Sequence, residues 1–181
     1  MMHGMVEDIQ MYAGSADESA AATRPVGRRG RWRQIGLVAL VLTATALATP
    51  SAPVAAASGV TLTANQVAVK NALNRDRQLN HLSVLVSRTD AQAKAQAWAE
   101  RLAQGGTLRH SVLAAGMKGH WCALGENVGL SDTSVKDLES RFMKSPIHRG
   151  NILDRRWNTV GVGYAVRGRT IYVVHVFVKT C

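Results

Sequence analysis

Cysteine, proline and aromatic residues are all scarce in this chain. Two Cys among 181 residues exclude a cysteine-rich mini-protein, and 4 Pro with 16 Gly exclude a collagen. A hydrophobic content of 46% excludes a disordered polymer. These values fit one ordinary globular domain.

Acidic residues are also few, with 12 Asp and Glu against 22 Lys and Arg. The resulting net charge of +10 favours an anionic partner over a cationic one. The charge alone identifies no partner, and a basic surface that only aids solubility is an equal alternative.

The sequence lacks the short motifs of the common hydrolases and redox proteins. It contains no H-E-x-x-H, G-x-S-x-G or C-x-x-C, and neither cysteine stands beside a histidine in a nucleophile pattern. No established reaction can therefore be assigned from a motif.

The apolar stretch at residues 35–48 is 14 residues long, short of the roughly 20 that a membrane-spanning helix needs. Five arginines precede it, and an A-x-A site follows at residues 55–57, a pattern typical of a secretory signal. The sequence therefore predicts a leader and signal peptide at residues 1–57 and a mature domain at residues 58–181. The alternative is an uncleaved anchor at residues 35–57, which Pro50 and Pro53 would interrupt.

Either alternative predicts export, so we expect a protein that is secreted, extracellular or held in the cell envelope. Membrane contact is then limited to the signal segment. Five basic and four acidic residues lie before residue 58, so the mature domain keeps a charge of about +9. Since exported proteins rarely meet nucleic acid, the expected partners are anionic envelope polymers or lipids, and nucleic acid is not expected.

Both cysteines, Cys122 and Cys181, lie in the predicted mature domain. An oxidising compartment favours their pairing, so a disulfide is predicted, with metal binding by these two distant residues as the weaker alternative. The disulfide would close a loop of about 60 residues and add roughly 4 kcal/mol of stability on the chain-entropy model.

Hydrophobic periodicity predicts helices first and strands last. Thr63 is placed to cap a first helix, Thr89 or Ser87 a second that stops at residues 105–106, and Ser145 a short fourth. A third helix is predicted from about residues 131–134 to the residue before Ser145. Alternation from residue 159 to 178, with a turn at 167–169, predicts a β-hairpin. This order indicates an α+β fold with an antiparallel sheet.

Three titratable residues stand out as candidate ligands: His110, Glu126 and His148. Two imidazoles and a carboxylate can hold a divalent cation such as zinc. His148 lies in the first turn of the fourth predicted helix, where the positive end of the helix dipole favours the neutral, ligating imidazole. Taken singly, each residue is better interpreted as structural.

An ordered set of motifs surrounds these residues. They are Asn74-Arg75-Asp76-Arg77, Leu108-Arg109-His110-Ser111, Gly125-Glu126-Asn127-Val128, Ser145-Pro146-Ile147-His148-Arg149-Gly150-Asn151-Ile152-Leu153 and Val160-Gly161-Val162-Gly163. Together, over residues 68–177, they resemble the CAP superfamily, or SCP domain, of cysteine-rich secretory proteins, antigen 5 and pathogenesis-related proteins.

The resemblance implies an α-β-α sandwich with a small antiparallel sheet and an open cleft. It implies that His110, Glu126 and His148 share that cleft as a metal site and that Ser145, Asn127 and Asn151 line it. Many relatives carry a second glutamate three residues after an aromatic residue on the third helix. Here the aromatic residue is Phe142 and that position is Ser145, so a three-residue site is expected; Glu139 is not given the role.

We therefore expect a secreted, monomeric, non-catalytic binding or interaction module that requires no cofactor. Its expected ligands are anionic envelope polymers, lipids or sterols. The alternative is a metal-dependent hydrolase, peptidase-like or esterase-like, in which His110 and His148 hold zinc and Glu126 is either the third ligand or the general base. A third alternative is a structural envelope protein in which the three residues form a hydrogen-bonded cluster.

Overall fold

The computed structural model of the chain describes residues 12–13 and 60–181. The predicted signal segment, its cleavage site and the alternative anchor lie outside the described residues. The elements are β1 (Tyr12–Ala13), α1 (Ala64–Leu79), β2 (Val86–Ser87), α2 (Thr89–Gly105), β3 (Ala123–Ser131), α3 (Val135–Lys144), α4 (Pro146–Leu153), β4 (Thr159–Arg167) and β5 (Thr170–Lys179).

A five-stranded sheet, ordered β1-β3-β5-β4-β2, forms the middle of the fold. The predicted hairpin is confirmed, because β4 and β5 pair antiparallel across the turn that follows Arg167. The predicted antiparallel sheet is confirmed in three pairings, and the two-residue strand β2 adds a parallel pairing with β4. A parallel neighbour is accessible to β2 because α2, β3, α3 and α4 separate the two strands in the chain.

The nine-residue strand β3 was not predicted as a strand. Its sequence, ALGENVGLS, has two glycines and no sustained alternation of apolar and polar residues. It pairs with β5 along its whole length and is buried on both faces, and such strands lack a period-two signal.

Helices cover both faces of the sheet, which confirms the predicted α-β-α sandwich. On one face α2 packs Ala91, Ala95 and Leu102 against Val174 and Val176 of β5. A second core forms on the other face, between the sheet and the three remaining helices. Its members include Leu73, Leu138, Phe142, Ile152, Val162 and Phe177.

Two glycines of β4 allow α2 to approach the sheet closely. A Cβ on Gly161 would lie 2.1 Å from the carbonyl oxygen of Ala91, and one on Gly163 would lie 2.0 Å from that of Ala95. Gln92 fixes the helix by receiving a hydrogen bond from Val162 N and donating one to Val162 O. This close backbone contact fixes the distance between α2 and the sheet.

Two of the three predicted cap positions are confirmed, and α3 begins within its predicted range. Thr63 forms a capping box with Gln66, Ser134 caps α3, and Ser145 is the N-cap position of α4 ahead of Pro146. The predicted cap of α2 was wrong: Arg88 occupies that position, and neither Thr89 nor Ser87 does. Instead Asp90, in the first turn, accepts a hydrogen bond from Ala91 N, so a carboxylate satisfies a free amide there.

The predicted disulfide is confirmed between Cys122 and Cys181. It joins the residue before β3 to the chain end after β5, and Cys122 N also donates to Lys179 O at 2.7 Å. The described ranges contain no helix that is both long and apolar enough to cross a membrane.

One short strand lies far from the others in the sequence. Tyr12 and Ala13, which fall within the predicted leader, pair antiparallel with Leu124 and Ala123 of β3. The outer edge of β3 presents unpaired amide and carbonyl groups, which template such pairing.

Candidate functional site

His110 and Glu126 meet on the α2 side of the sheet, as the sequence predicts for this pair. His110 Nδ1 lies 2.8 Å from Glu126 Oε1. Ser111 completes the arrangement, because its backbone N donates to Oε1 at 2.8 Å and its hydroxyl to Oε2 at 2.6 Å. The carboxylate, fully buried, thus accepts from three donors in the segment that follows α2.

This arrangement fixes the imidazole of His110. A carboxylate oxygen accepts, so Nδ1 carries the shared hydrogen and Nε2 is left as the second ring nitrogen. Nε2 is buried and has no hydrogen-bond partner among residues 12–13 and 60–181. Ser111, which sequence analysis did not select as a site residue, anchors the carboxylate through two of its three contacts.

His148 does not join this pair. Its Nδ1 lies 2.8 Å from Ser145 Oγ, and its ring packs 5.0 Å from that of Phe142, in the core on the other face of the sheet. Asn127, the next residue after Glu126, donates to His148 O at 3.1 Å. Consecutive side chains of a strand point to opposite faces, so Glu126 and His148 are separated by the sheet.

The predicted three-residue metal site was therefore wrong in its geometry. Within the described part of the chain, no three His, Cys, Asp or Glu side chains are grouped so that they could hold a metal ion. The three residues that the family resemblance selected therefore do not fit a bound cation.

Ser145, Asn127 and Asn151 do not line a cleft beside His110, which corrects the predicted lining. Asn151 Nδ2 donates to Asn127 Oδ1 at 2.9 Å and to Glu126 O at 3.2 Å. All three residues are buried. The contacts of Asn127 and Asn151 fasten α4 to β3, and Ser145 contacts His148 of α4. Polar side chains in such a position satisfy each other and the backbone, so their role here is structural.

A groove of about 1060 Å³ runs along the outer side of α2, here called the α2 groove. Its opposite wall is the segment from Arg109 to Gly119, and His110 and Ser111 belong to that wall. The volume is at the upper end of the range for small-molecule sites. The residues lining the α2 groove are Arg88, Thr89, Asp90, Ala93, Lys94, Ala97, Trp98, Arg101, Arg109, His110, Ser111, Val112, Ala115, Gly116, Lys118 and Gly119.

Lys94 clamps the middle of the groove wall to α2. Its ammonium donates to Val112 O at 2.8 Å and to Ala115 O at 2.9 Å. Burial lowers the pKa of the Lys94 ammonium, and the nearby Glu126 partly offsets this effect. Lys94 is thus a structural clamp, with two of its donors already used by the backbone.

Arg88 and Asp90 clamp one end of the groove. Asp90 pairs with Arg88 at 2.7 Å and accepts from Lys118 N at 2.7 Å, while Arg88 also donates to the carbonyl oxygens of Lys118 and His120. Burial alone would raise the pKa of Asp90, but hydrogen bonds from Arg88 and from two backbone amides outweigh it and lower that pKa. The middle and one end of the groove wall are therefore preformed.

A buried ionisable pair lies on the opposite face of the sheet. Glu139 of α3 and His175 of β5 are almost fully buried, with Glu139 Oε1 2.9 Å from His175 Nε2, although the contact lacks hydrogen-bond alignment. Sequence analysis assigned neither residue to a site. The helical spacing from Phe142 to Glu139 puts both on the buried side of α3, which is the signal that could have found the pair.

Known proteins share this architecture. The cysteine-rich secretory protein family (CAP) matches residues 70–181. An extracellular SCP-domain protein of Bacillus anthracis superposes with a TM-score of 0.56 at 19% identity, over 64% of this chain and 40% of that one. An outer surface protein of Borrelia burgdorferi superposes with a TM-score of 0.58 at 13% identity, over 67% of this chain and 97% of that one. Comparison with curated proteins found no matching sequence.

Proposed function

Because the chain belongs to the cysteine-rich secretory protein (CAP) family, we propose that it is an exported, non-catalytic binding module whose ligand occupies the α2 groove. The observation that carries this proposal is the groove itself, whose walls are held in place by Lys94, Arg88 and Asp90 before any ligand arrives. A preformed wall avoids the ordering free energy that a flexible loop would lose on binding.

Export is supported by three features. The structures that this chain resembles are described as an extracellular and an outer surface protein. The disulfide between Cys122 and Cys181 forms in oxidising compartments. The basic, apolar and A-x-A segments before residue 58 supply the pattern of a signal.

The proposed partners are anionic components of the envelope, whether polymers or lipids. Five cationic residues line the groove, against Asp90 as its acidic residue. A concave surface of one sign raises the local concentration of oppositely charged ligands. The basic residues in question are Arg88, Lys94, Arg101, Arg109 and Lys118.

The hydrolase alternative has less support from the geometry. It needs Glu126 as a metal ligand or a free base, but three donors already occupy this carboxylate. It also needs His148 near His110, and the two lie on opposite faces of the sheet. Turnover of ester or peptide substrates by the full chain would contradict the non-catalytic proposal.

Filling the groove tests the proposal. Ala97 is an exposed residue of α2 in the groove lining, and Ala97→Trp is expected to weaken binding of the full chain at least about tenfold. The probes are phosphatidylglycerol vesicles and poly(glycerol phosphate), measured by cosedimentation and calorimetry.

The matched control is Ala68→Trp, which adds the same side chain to an exposed position of α1 on the other side of the sheet. Binding of this variant should equal that of the unmodified chain. The proposal is overturned if neither anionic probe binds, or if both variants bind as the unmodified chain does.

A further inference from the structure

A second pocket lies between α1 and the edge strand β2, and it shares no lining residue with the α2 groove. Its volume of about 570 Å³ is within the range of small-molecule sites. We call it the β2 pocket. The residues that line it are Val60, Lys70, Asn71, Asn74, Gln78, Val84, Leu85, Val86 and Ser87.

The strand β2 has an open outer side, because the order of the sheet ends with it. On its inner side Arg88 N donates to Val160 O of β4 at 3.1 Å. Backbone groups of successive residues in a strand point to opposite sides, so the N–H and C=O of Leu85 and Ser87 point away from β4. Both of these residues line the β2 pocket.

The side chain of Asn74 shows how this outer side binds an amide. Asn74 Nδ2 donates to Leu85 O at 3.1 Å, and Asn74 Oδ1 accepts from Leu85 N at 2.8 Å. A residue of a neighbouring strand would form the same two hydrogen bonds. Two positions further along, the N–H and C=O of Ser87 have no hydrogen-bond partner within residues 12–13 and 60–181. The outer side is therefore filled at Leu85 and open at Ser87.

Lys70 places a positive charge beside the open position. Its Nζ donates to Ser87 Oγ at 3.1 Å, and it lies one helical turn before Asn74 on the same face of α1. An ammonium has three donors, so two of them remain. Among the described residues Lys70 forms no ion pair, and the pocket lining that they provide includes no Asp or Glu. The complementary group at this end of the pocket is therefore an anion.

The length of β2 limits what can pair with it. The strand has two residues, and Ser87 is the one that faces outward, so it can bind a single residue of an extended ligand. Val84 and Val86, which are 46% and 59% exposed, provide apolar contact next to it. A carboxylate, one backbone N–H and an apolar side chain occur together in the C-terminal residue of a peptide.

We propose that the β2 pocket binds the C-terminal residue of an extended peptide. The carboxylate of that residue accepts hydrogen bonds from Ser87 N and Lys70 Nζ, and its amide N–H donates to Ser87 O. Its side chain packs on Val84 and Val86. This arrangement combines strand addition with capture of a chain terminus. The inference goes beyond the proposed function, because it assigns a different class of ligand to a separate pocket.

The first test measures the affinity of the full chain for three peptides by NMR titration. Acetyl-alanyl-alanyl-valine with a free carboxylate should bind at least about tenfold more tightly than the same peptide with a C-terminal carboxamide, because hydrogen bonds to a charged group are lost. N-methylation of the valine removes the donor to Ser87 O and should weaken binding about fivefold. If N-methylation has no effect, a free carboxylate alone is recognised and the peptide assignment is wrong.

The second test follows the exchange of single backbone amides. In the free chain Ser87 N–H should exchange faster than Arg88 N–H, which is bonded to Val160 O. Saturation with the carboxylate peptide should slow Ser87 exchange at least about tenfold and leave Arg88 exchange unchanged. Unchanged exchange at Ser87 in the saturated chain would overturn the backbone pairing.

The matched variants are Lys70→Gln and Lys136→Gln. Lys136 is an exposed residue of α3 outside the lining of the β2 pocket. Lys70→Gln should abolish the preference for the carboxylate over the carboxamide, and Lys136→Gln should leave it unchanged. The inference is overturned if the carboxamide binds as tightly as the carboxylate, if both variants lose affinity equally, or if the carboxylate peptide does not bind at millimolar concentration. None of these outcomes affects the proposed function of the α2 groove.

Discussion

Asp76 of α1 lies near the buried Glu139 and His175, where its charge is unfavourable. Burial raises the pKa of the Asp76 carboxyl, and Glu139 raises it further, while Arg75 and His175 act in the opposite direction. A carboxyl pKa that is higher in the folded state favours folding below its unfolded value, and this contribution is lost as the pH rises through the folded value. At neutral pH the ionised Asp76 therefore destabilises the fold.

Asp76→Asn should raise the free energy of unfolding at pH 7, by less than about 1 kcal/mol because the carboxyl is only partly buried. The gain should disappear as the pH falls below the ordinary Asp value of 3.8. Urea unfolding at several pH values measures it. Asp132→Asn, at an exposed position, is the control and should change stability little at any pH. Destabilisation by Asp76→Asn at pH 7 would show that its charge is favourable instead.

The residue types alone could not show which of the candidate site residues lie close together in the fold. Glu126 and Asn127 are adjacent in the sequence, yet one faces His110 and the other contacts His148 O. Successive side chains of β3 point to opposite faces of the sheet, and this alternation decides which residues meet. Which residues share a face is known only once the strand itself has been identified. For the same reason, the pairing of Glu139 with His175 followed only from the packing of α3 against β5.

At the scale of elements, α2 connects the fold to the groove. Its inner side packs on Gly161 and Gly163 of β4, while its outer side forms the groove floor. Any change that moves α2 away from the sheet would therefore disturb both the packing of the fold and the shape of the groove. Hydrophobic periodicity predicted that α2 exists, but its distance from the sheet depends on two glycines of β4.

Gly163→Ala should destabilise the fold by several kcal/mol, because the new Cβ would meet the Ala95 carbonyl oxygen at 2.0 Å and backbone cannot move aside as a side chain can. Chemical unfolding of the full chain measures the loss. The paired control is Gly150→Ala in α4, where a Cβ meets no atom within 4 Å. This control should be neutral or stabilising by roughly 0.5–1 kcal/mol, since Ala favours helix. Equal effects of the two substitutions would contradict the close approach of α2.

At the scale of the whole molecule, the disulfide joins the start of β3 to the end of the chain. Cys122 and Cys181 are 59 positions apart, so the bridge constrains a large part of the unfolded chain. It also fixes the segment that leads from the groove wall into the sheet. The redox state of the two cysteines is therefore linked to the stability of the fold.

Replacing both cysteines by serine should lower the free energy of unfolding by about 4 kcal/mol, because the unfolded chain regains the loop entropy that the bridge removes. Denaturant unfolding with and without a reductant measures the difference. The reductant should destabilise the unmodified chain and leave the serine variant unchanged. Equal stability of the oxidised and reduced chains would indicate that the bridge constrains little.

The sequence by itself determined the hairpin, two helix caps and the cysteine pairing, because each is encoded by local periodicity, by capping residues or by composition. The α-β-α architecture was implied by the resemblance of its motifs to a known family. Only the tertiary structure decided that His110 and His148 lie on opposite sides of the sheet. It also decided that α2 and the segment after it enclose a groove. The first outcome depends on which face of the sheet each side chain of β3 occupies, and the second on how closely the backbones of distant elements approach each other. Neither is contained in the pattern of residues along the chain.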